Sequence, residues 1–267
     1  MNYYETHLGT NFGFVKGTGE YPVKGIKGTP HSFREYGIYP ASKPVISAPE
    51  VQSSFIDIPG RDGALDTTET LDEVVHYRNR EATFEFVCVD KRDKWDVVYH
   101  NLLRDLHGRN RKIIIDEEPD GYYEGRLTVS EPEYDGKKGE AFFTIEGNLQ
   151  PFKMQFNNSW EDWLWDPFCF ETDYIEEYNN KDVSGTVRNP QTITLYGSDY
   201  TQVPDIVLNS GTVSVTYINI NGDEVTKALV SGSNLETTPD LVLRRSSLDL
   251  NFTGTGNITI KHSWGWL

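Results

Sequence analysis

Two turns follow one another without a break in Ile58-Pro59-Gly60-Arg61-Asp62-Gly63-Ala64-Leu65-Asp66. Proline fixes φ and glycine tolerates φ above zero, so Pro59-Gly60 sets a reverse turn and Asp62-Gly63 sets a second one at once. Apolar runs flank the double turn. Phe55-Ile56-Asp57-Ile58 precedes it, and Thr83-Phe84-Glu85-Phe86-Val87-Cys88-Val89 comes later with the period of two that marks a strand with one buried face. The glycines therefore sit between strands, not ahead of a helix, and the chain is committed to β structure here.

One helix interrupts this pattern, from about Lys91 to His107, where Trp95, Val98, Tyr99, Leu102, Leu103 and Leu106 recur at helical spacing. Asp90 or Asp93 can cap its start. Gly108 supplies a left-handed stop, and Arg109, Arg111 and Lys112 sit where the negative end of the helix dipole favours cations. Ile113-Ile114-Ile115 then reads as a strand. Past residue 180 the pattern is entirely β: Val213 to Ile218 and Val225 to Val230 flank Asn221-Gly222, a strong hairpin signal. Leu241-Val242-Leu243, Leu248 to Phe252 and Asn257 to Lys261 read as further short strands, with Gly254-Thr255-Gly256 as a turn, in the manner of an antiparallel sandwich. The expected fold is mainly β with one helix, divided into an N-terminal domain over 1–151 and a C-terminal β-sandwich over 152–267.

Taken with Tyr77-Arg78-Asn79-Arg80, the helix end Leu106-His107-Gly108 and the segment Asp116-Glu117-Glu118-Pro119-Asp120-Gly121-Tyr122-Tyr123-Glu124-Gly125-Arg126, the double turn resembles the distal tail protein family (Dit) of long-tailed bacteriophages in order and spacing. The likeness runs from His31-Ser32-Phe33-Arg34-Glu35-Tyr36-Gly37 to Gln150-Pro151-Phe152-Lys153, and more weakly through Trp163-Leu164-Trp165-Asp166-Pro167-Phe168 to the end. The first 27 residues depart from it with a Gly-rich lead-in, where the family enters its first strand almost directly. The resemblance implies a ring-forming (belt) N-terminal β domain and a galectin-like C-terminal sandwich. It implies a homo-hexameric hub at the distal end of the phage tail, made in the host cytoplasm, that lets DNA pass. The tail tube protein would sit on one side and a tail-tip or tail-associated lysin protein on the other, with receptor-binding or baseplate proteins at the periphery.

Composition narrows the alternatives independently. Aromatic residues at 13% and charged residues at 25% of 267 fit a folded, soluble chain. No run approaches the ~18 apolar residues of a membrane span, and Met1-Asn2-Tyr3-Tyr4-Glu5 has neither the cationic start nor the apolar core of a signal peptide, so no membrane insertion is expected. A net charge of −16 opposes nucleic-acid binding, which is driven by cations displacing counterions from phosphates. The same charge suits a channel through which DNA slides without sticking. Two cysteines, Cys88 and Cys169, are too few for a disulfide scaffold or a zinc site.

Among candidate sites, Trp160-Glu161-Asp162-Trp163-Leu164-Trp165-Asp166 alternates aromatic planes with carboxylates, as sugar-binding clefts do, which makes Trp163 and Trp165 candidate saccharide contacts and a carbohydrate-binding module the alternative function. The plainer reading is that these aromatics anchor the linker onto the second domain. Asp116 to Asp120 lacks the spacing of a calcium loop and reads as a solvated turn. His100 and His107 lie on one helix without the glutamate of a zinc motif. Gly17-Thr18-Gly19 and Gly254-Thr255-Gly256 complete no nucleotide fingerprint. No serine elbow or reactive-thiol signature is present, so neither catalysis nor a cofactor is expected.

Overall fold

The computed structural model describes residues 12–15, 36–70, 74–88, 92–115, 118–155, 185–188 and 190–267. The chain divides into two compact units, one formed by Met1–Lys153 with Leu267 and the other by Met154–Trp266. Among the described residues it is mainly β with a single α-helix.

The first unit contains β1 (Phe12–Val15), β2 (Tyr39–Pro40), β3 (Val45–Ile46), β4 (Phe55–Ile56), β5 (Leu65–Asp66), β6 (Arg80–Cys88), α1 (Arg92–Asp105), β7 (Asn110–Ile115), β8 (Glu118–Val129), β9 (Glu133–Asp135) and β10 (Glu140–Leu149). Its main sheet runs in the order β1-β7-β8-β10-β6-β2, with β3 also on β6 and β9 on β10. Each of these pairings is antiparallel. The alternation expected for Thr83 to Val89 holds in β6 as far as Phe86, with Ala82, Phe84 and Phe86 buried and Glu81 and Glu85 exposed; Val87 and Cys88 are both buried, and Val89 lies outside the described residues. In β10 the facing positions Phe143 and Ile145 are likewise fully buried. Registered as Phe143↔Phe86 and Ile145↔Phe84, these residues form the floor on which α1 rests.

The helix spans Arg92–Asp105 and buries Trp95, Val98 and Leu102, with Leu106 completing the stripe just past its end. Gly108, at φ 68°, turns the chain out of the helix. Its amide donates to Leu127 O at 2.7 Å. Two arginines satisfy carbonyls at this end: Arg111 Nε donates to Asp105 O at 3.1 Å and Arg126 Nη1 to Gly108 O at 2.6 Å. Of the cations expected at the helix terminus Arg111 takes that role, and Arg126 arrives from β8. The acidic segment differs from its reading as a turn. Glu118 to Asp120 open the strand β8, while Asp116 and Glu117 lie outside the described residues.

The division between units falls within β11 (Lys153–Gln155). The second unit then contains β12 (Gly185–Arg188), β13 (Gln191–Tyr196), β14 (Asp205–Ile218), β15 (Glu224–Ala228), β16 (Ser247–Lys261) and β17 (Gly265–Trp266). A five-stranded antiparallel sheet runs β12-β16-β14-β15, with β13 beside β12 on the same edge of β16. The hairpin expected at Asn221-Gly222 joins β14 to β15. Its loop is longer than the dipeptide alone requires, because Asn219 organises it: the amides of Asn221 and Asp223 both donate to Asn219 Oδ1 at 2.9 Å.

Gly254-Thr255-Gly256 is not a turn. It lies inside the continuous 15-residue strand β16, opposite Gly211 of β14, and glycine is needed because the two backbones nearly touch. A Cβ on Gly254 would stand 2.2 Å from Thr212 O, and one on Gly211, at φ 95°, 2.3 Å from Thr255 O. Immediately before this crossing the register of β14 slips by one residue between Leu208 and Ser210. The slip moves the buried positions of β14 from Ile206 and Leu208 to Val213, Val215 and Tyr217, while β16 buries Leu250, Phe252, Ile258 and Ile260 without a change of phase. Leu241 and Leu243 are buried in the same core but lie in a loop instead of the expected strand, Leu243 making one isolated bridge to Gln202. Asn234, fully buried, ties that loop region down by donating from Nδ2 to Ile206 O at 2.7 Å and accepting from Val230 N at 2.8 Å.

Two outcomes follow for the second unit. Gly211→Ala forces a positive-φ alanine against a carbonyl and lowers stability by about 2 kcal/mol or more in thermal or urea unfolding. His262, 5% exposed, has its pKa pulled down by burial to about 4. The unfolded chain therefore takes up a proton that the folded chain refuses. The stability contributed by the neutral ring is intact above the unfolded pKa of about 6.5 and is lost as pH falls toward 4. Urea unfolding between pH 7 and 5 shows the decline, and His262→Gln removes about 1 kcal/mol of it.

Candidate interaction surface

The double turn does not close onto the main sheet. From Val45 the chain runs antiparallel to the segment that returns into β6, through Val45↔Thr83, Ile46↔Ala82 and Ser47 N to Glu81 O at 2.9 Å. Farther out, Arg78 N donates to Glu50 O at 2.7 Å, Val51 bridges Tyr77, and Gln52 N donates to His76 O at 2.8 Å. Beyond this base, β4 and β5 form a separate two-stranded ladder, Phe55↔Asp66 and Ile56↔Leu65, closed by the double turn. Gly60 and Gly63 stand at φ 82° and 78°, as that turn requires.

Thr67 and Thr68 secure the return strand. Thr67 N donates to Ser54 O at 2.8 Å, and Thr68 donates to Asp66 Oδ1 from its amide at 2.9 Å and from its hydroxyl at 2.6 Å. The Thr68 hydroxyl, followed by its amide, holds the Asp66 carboxyl below its ordinary pKa. Local polar bonds thus shape this arm without a hydrophobic core of its own.

Four large apolar side chains of the arm, Phe55, Ile56, Ile58 and Leu65, are exposed. Phe55 is 61% exposed and Ile56 52%, although the run before the turn reads as apolar in the sequence. Among the described residues thirteen large hydrophobic side chains are exposed, and Val45, Val51, Phe55, Ile56, Ile58 and Leu65 supply six of them within 21 residues. Apolar surface gathered this way marks a contact surface, and a two-stranded hairpin standing apart from a larger sheet is marginal on its own in water.

Other candidates from the sequence fare differently. Trp163 and Trp165 lie outside the described residues, as do Cys169 and Gly17-Thr18-Gly19. Cys88 is buried in β6. The two helix-region histidines have separate partners: His100 Nδ1 lies 2.6 Å from Asp96 O, and His107 Nδ1 accepts from Val129 N at 3.1 Å. Among the described residues no group of three or more His, Cys, Asp or Glu side chains is placed to hold a metal ion, and no helix is long and apolar enough to cross a membrane.

Because Phe55 and Ile56 bury little, Phe55→Ser/Ile56→Ser leaves the unfolding midpoint of the isolated chain nearly unchanged, within about 0.5 kcal/mol. Thermal unfolding monitored by circular dichroism at low protein concentration checks this.

Comparison with known proteins adds the fold. Neither a protein-family profile nor a curated protein matches the chain. Among solved structures it is similar to the Dit protein (gp 19.1) of SPP1, described as a paradigm of the hub adsorption apparatus in phages infecting Gram-positive bacteria. The two superpose with a TM-score of 0.51 at 14% identity, over 97% of this chain and 99% of that one. The chain, mainly β among its described residues, shares the fold of the SPP1 Dit protein.

Proposed function

We propose that this chain is a structural component of a long-tailed phage tail tip. Six copies close into a ring that joins the tail tube to the adsorption apparatus or baseplate and lets DNA pass. The exposed apolar arm carries the proposal. A ring made by repeating one interface needs two different surfaces on each copy, one given and one received, with a rotation that divides a full turn. An arm whose apolar side chains find no cover among the described residues suits the given surface. The full-length likeness to a protein described as part of a hub supports the same reading.

In this role the chain works by geometry and needs neither a catalytic centre nor a cofactor. Its neighbours are the tail tube protein on one face and a tail-tip or tail-associated lysin protein on the other, and its place is the distal end of the virion tail. A net charge of −16 suits a conduit for DNA, since phosphate repels a wall of like sign.

Light scattering on a sizing column, followed by negative-stain microscopy, tests the proposal. Rings of about 180 kDa, six times the 30.5 kDa chain, are the expected result, and Phe55→Ser/Ile56→Ser reduces them to monomers. A wild-type chain that stays monomeric at high concentration, with and without a tail tube protein, overturns the ring.

A further inference from the structure

The five residues from His76 to Arg80 take part in two structures at once. On one side they are the base of the arm. His76 O accepts from Gln52 N, Tyr77 O accepts from Gln52 Nε2 at 2.9 Å, and Arg78 N donates to Glu50 O. On the other side they grip the last residues of the first unit. The Tyr77 ring meets Phe152 edge to face, with centroids 6.0 Å apart and planes at 87°, and Arg80 Nη2 donates to Pro151 O. Gln150 N donates to Glu124 O at 2.7 Å beside them.

Arg80 makes this grip unusual. Its residue is 6% exposed, and its guanidinium lies over the Tyr123 ring with Cζ 5.6 Å from the centroid. Among the described residues no carboxylate is bonded to it, and its buried Nε has no hydrogen-bond partner. Among those residues one carbonyl and one aromatic face are what this buried cation has, so losing Pro151 O would leave its charge without an acceptor.

We propose that His76 to Arg80 is a relay, coupling the order of the arm base to the order of Gln150 to Phe152, where the chain leaves the first unit. Fixing the arm against another surface immobilises Tyr77. The same ring then holds Phe152, so the exit of the chain stiffens when the arm is engaged and loosens when it is not. Such coupling is reciprocal by linkage, so loosening the exit loosens the arm base by the same factor. The relay stands on contacts within one unit and does not depend on the identity of the arm's partner.

Hydrogen exchange of the full chain, read at single amides by NMR, tests it. An edge-to-face pair contributes about 0.5–1.5 kcal/mol, so Phe152→Ala speeds exchange at the Gln52 and Arg78 amides about twofold to twelvefold. Amides within α1 and at Phe143 keep wild-type rates. Phe152→Tyr, which keeps the ring, restores slow exchange. In the opposite direction Gln52→Ala, which removes the bond to Tyr77 O, speeds exchange at Gln150. Where Phe152→Ala fails to fold, Phe152→Leu keeps apolar volume without the ring and shows the same local acceleration. Wild-type rates at Gln52 and Arg78 in the Phe152 variants, or at Gln150 in Gln52→Ala, overturn the relay. So does acceleration that is uniform through α1 and β10.

Discussion

A strand turns successive side chains to opposite faces, so a sheet with one buried face tolerates no uncorrected shift of a single residue. Both units are organised by that constraint. In the first, β6 and β10 keep phase over their whole pairing, which lets Phe84, Phe86, Phe143 and Ile145 make one floor for the helix. In the second, β14 and β16 pair along their length and approach closely at their glycines. An added residue in β14 changes its phase at the crossing, and every buried side chain on both sides of it still reaches the same core. The outer face can then remain polar, with Thr192 bonded to Asn251 and Thr216 to Thr226 across the strands.

The helix shows how local signals and packing agree. Its apolar stripe, its glycine stop and, of the cations at its C-terminal end, Arg111 all stand in the sequence and are used. Arg126 could not be assigned this way, because its link to Gly108 O depends on β8 returning beside the helix end, a contact between residues 18 apart in the chain. Long-range pairing supplies partners that no local window contains.

The same distinction sorts what was legible. The double turn, the β6 alternation and the hairpin near Asn221-Gly222 are local patterns, and all three occur. Gly254-Thr255-Gly256 misleads because glycine serves two purposes: it permits a turn, and it permits close backbone approach, and only the position of Gly211 on the partner strand decides between them. Leu241 and Leu243 are buried as their hydrophobicity demands, yet burial alone does not make a strand. The exposure of Phe55 and Ile56 was hidden for a related reason. An apolar run is written the same way whether its cover comes from its own chain or from another, so the clearest candidate surface looks like core until the tertiary structure is known.

The arm's independence from the cores has a consequence for how such a chain changes over time. Phe55, Ile56, Ile58 and Leu65 belong to neither hydrophobic cluster, and the hydrogen bonds that shape the arm are largely backbone bonds or come from Asp66, Thr67 and Thr68. Substitutions at those four apolar positions are therefore scarcely judged by folding, and any surface the arm meets sets their cost. A lineage carrying this fold can retune its fit to a diverging partner in small steps, each leaving a stable chain behind it.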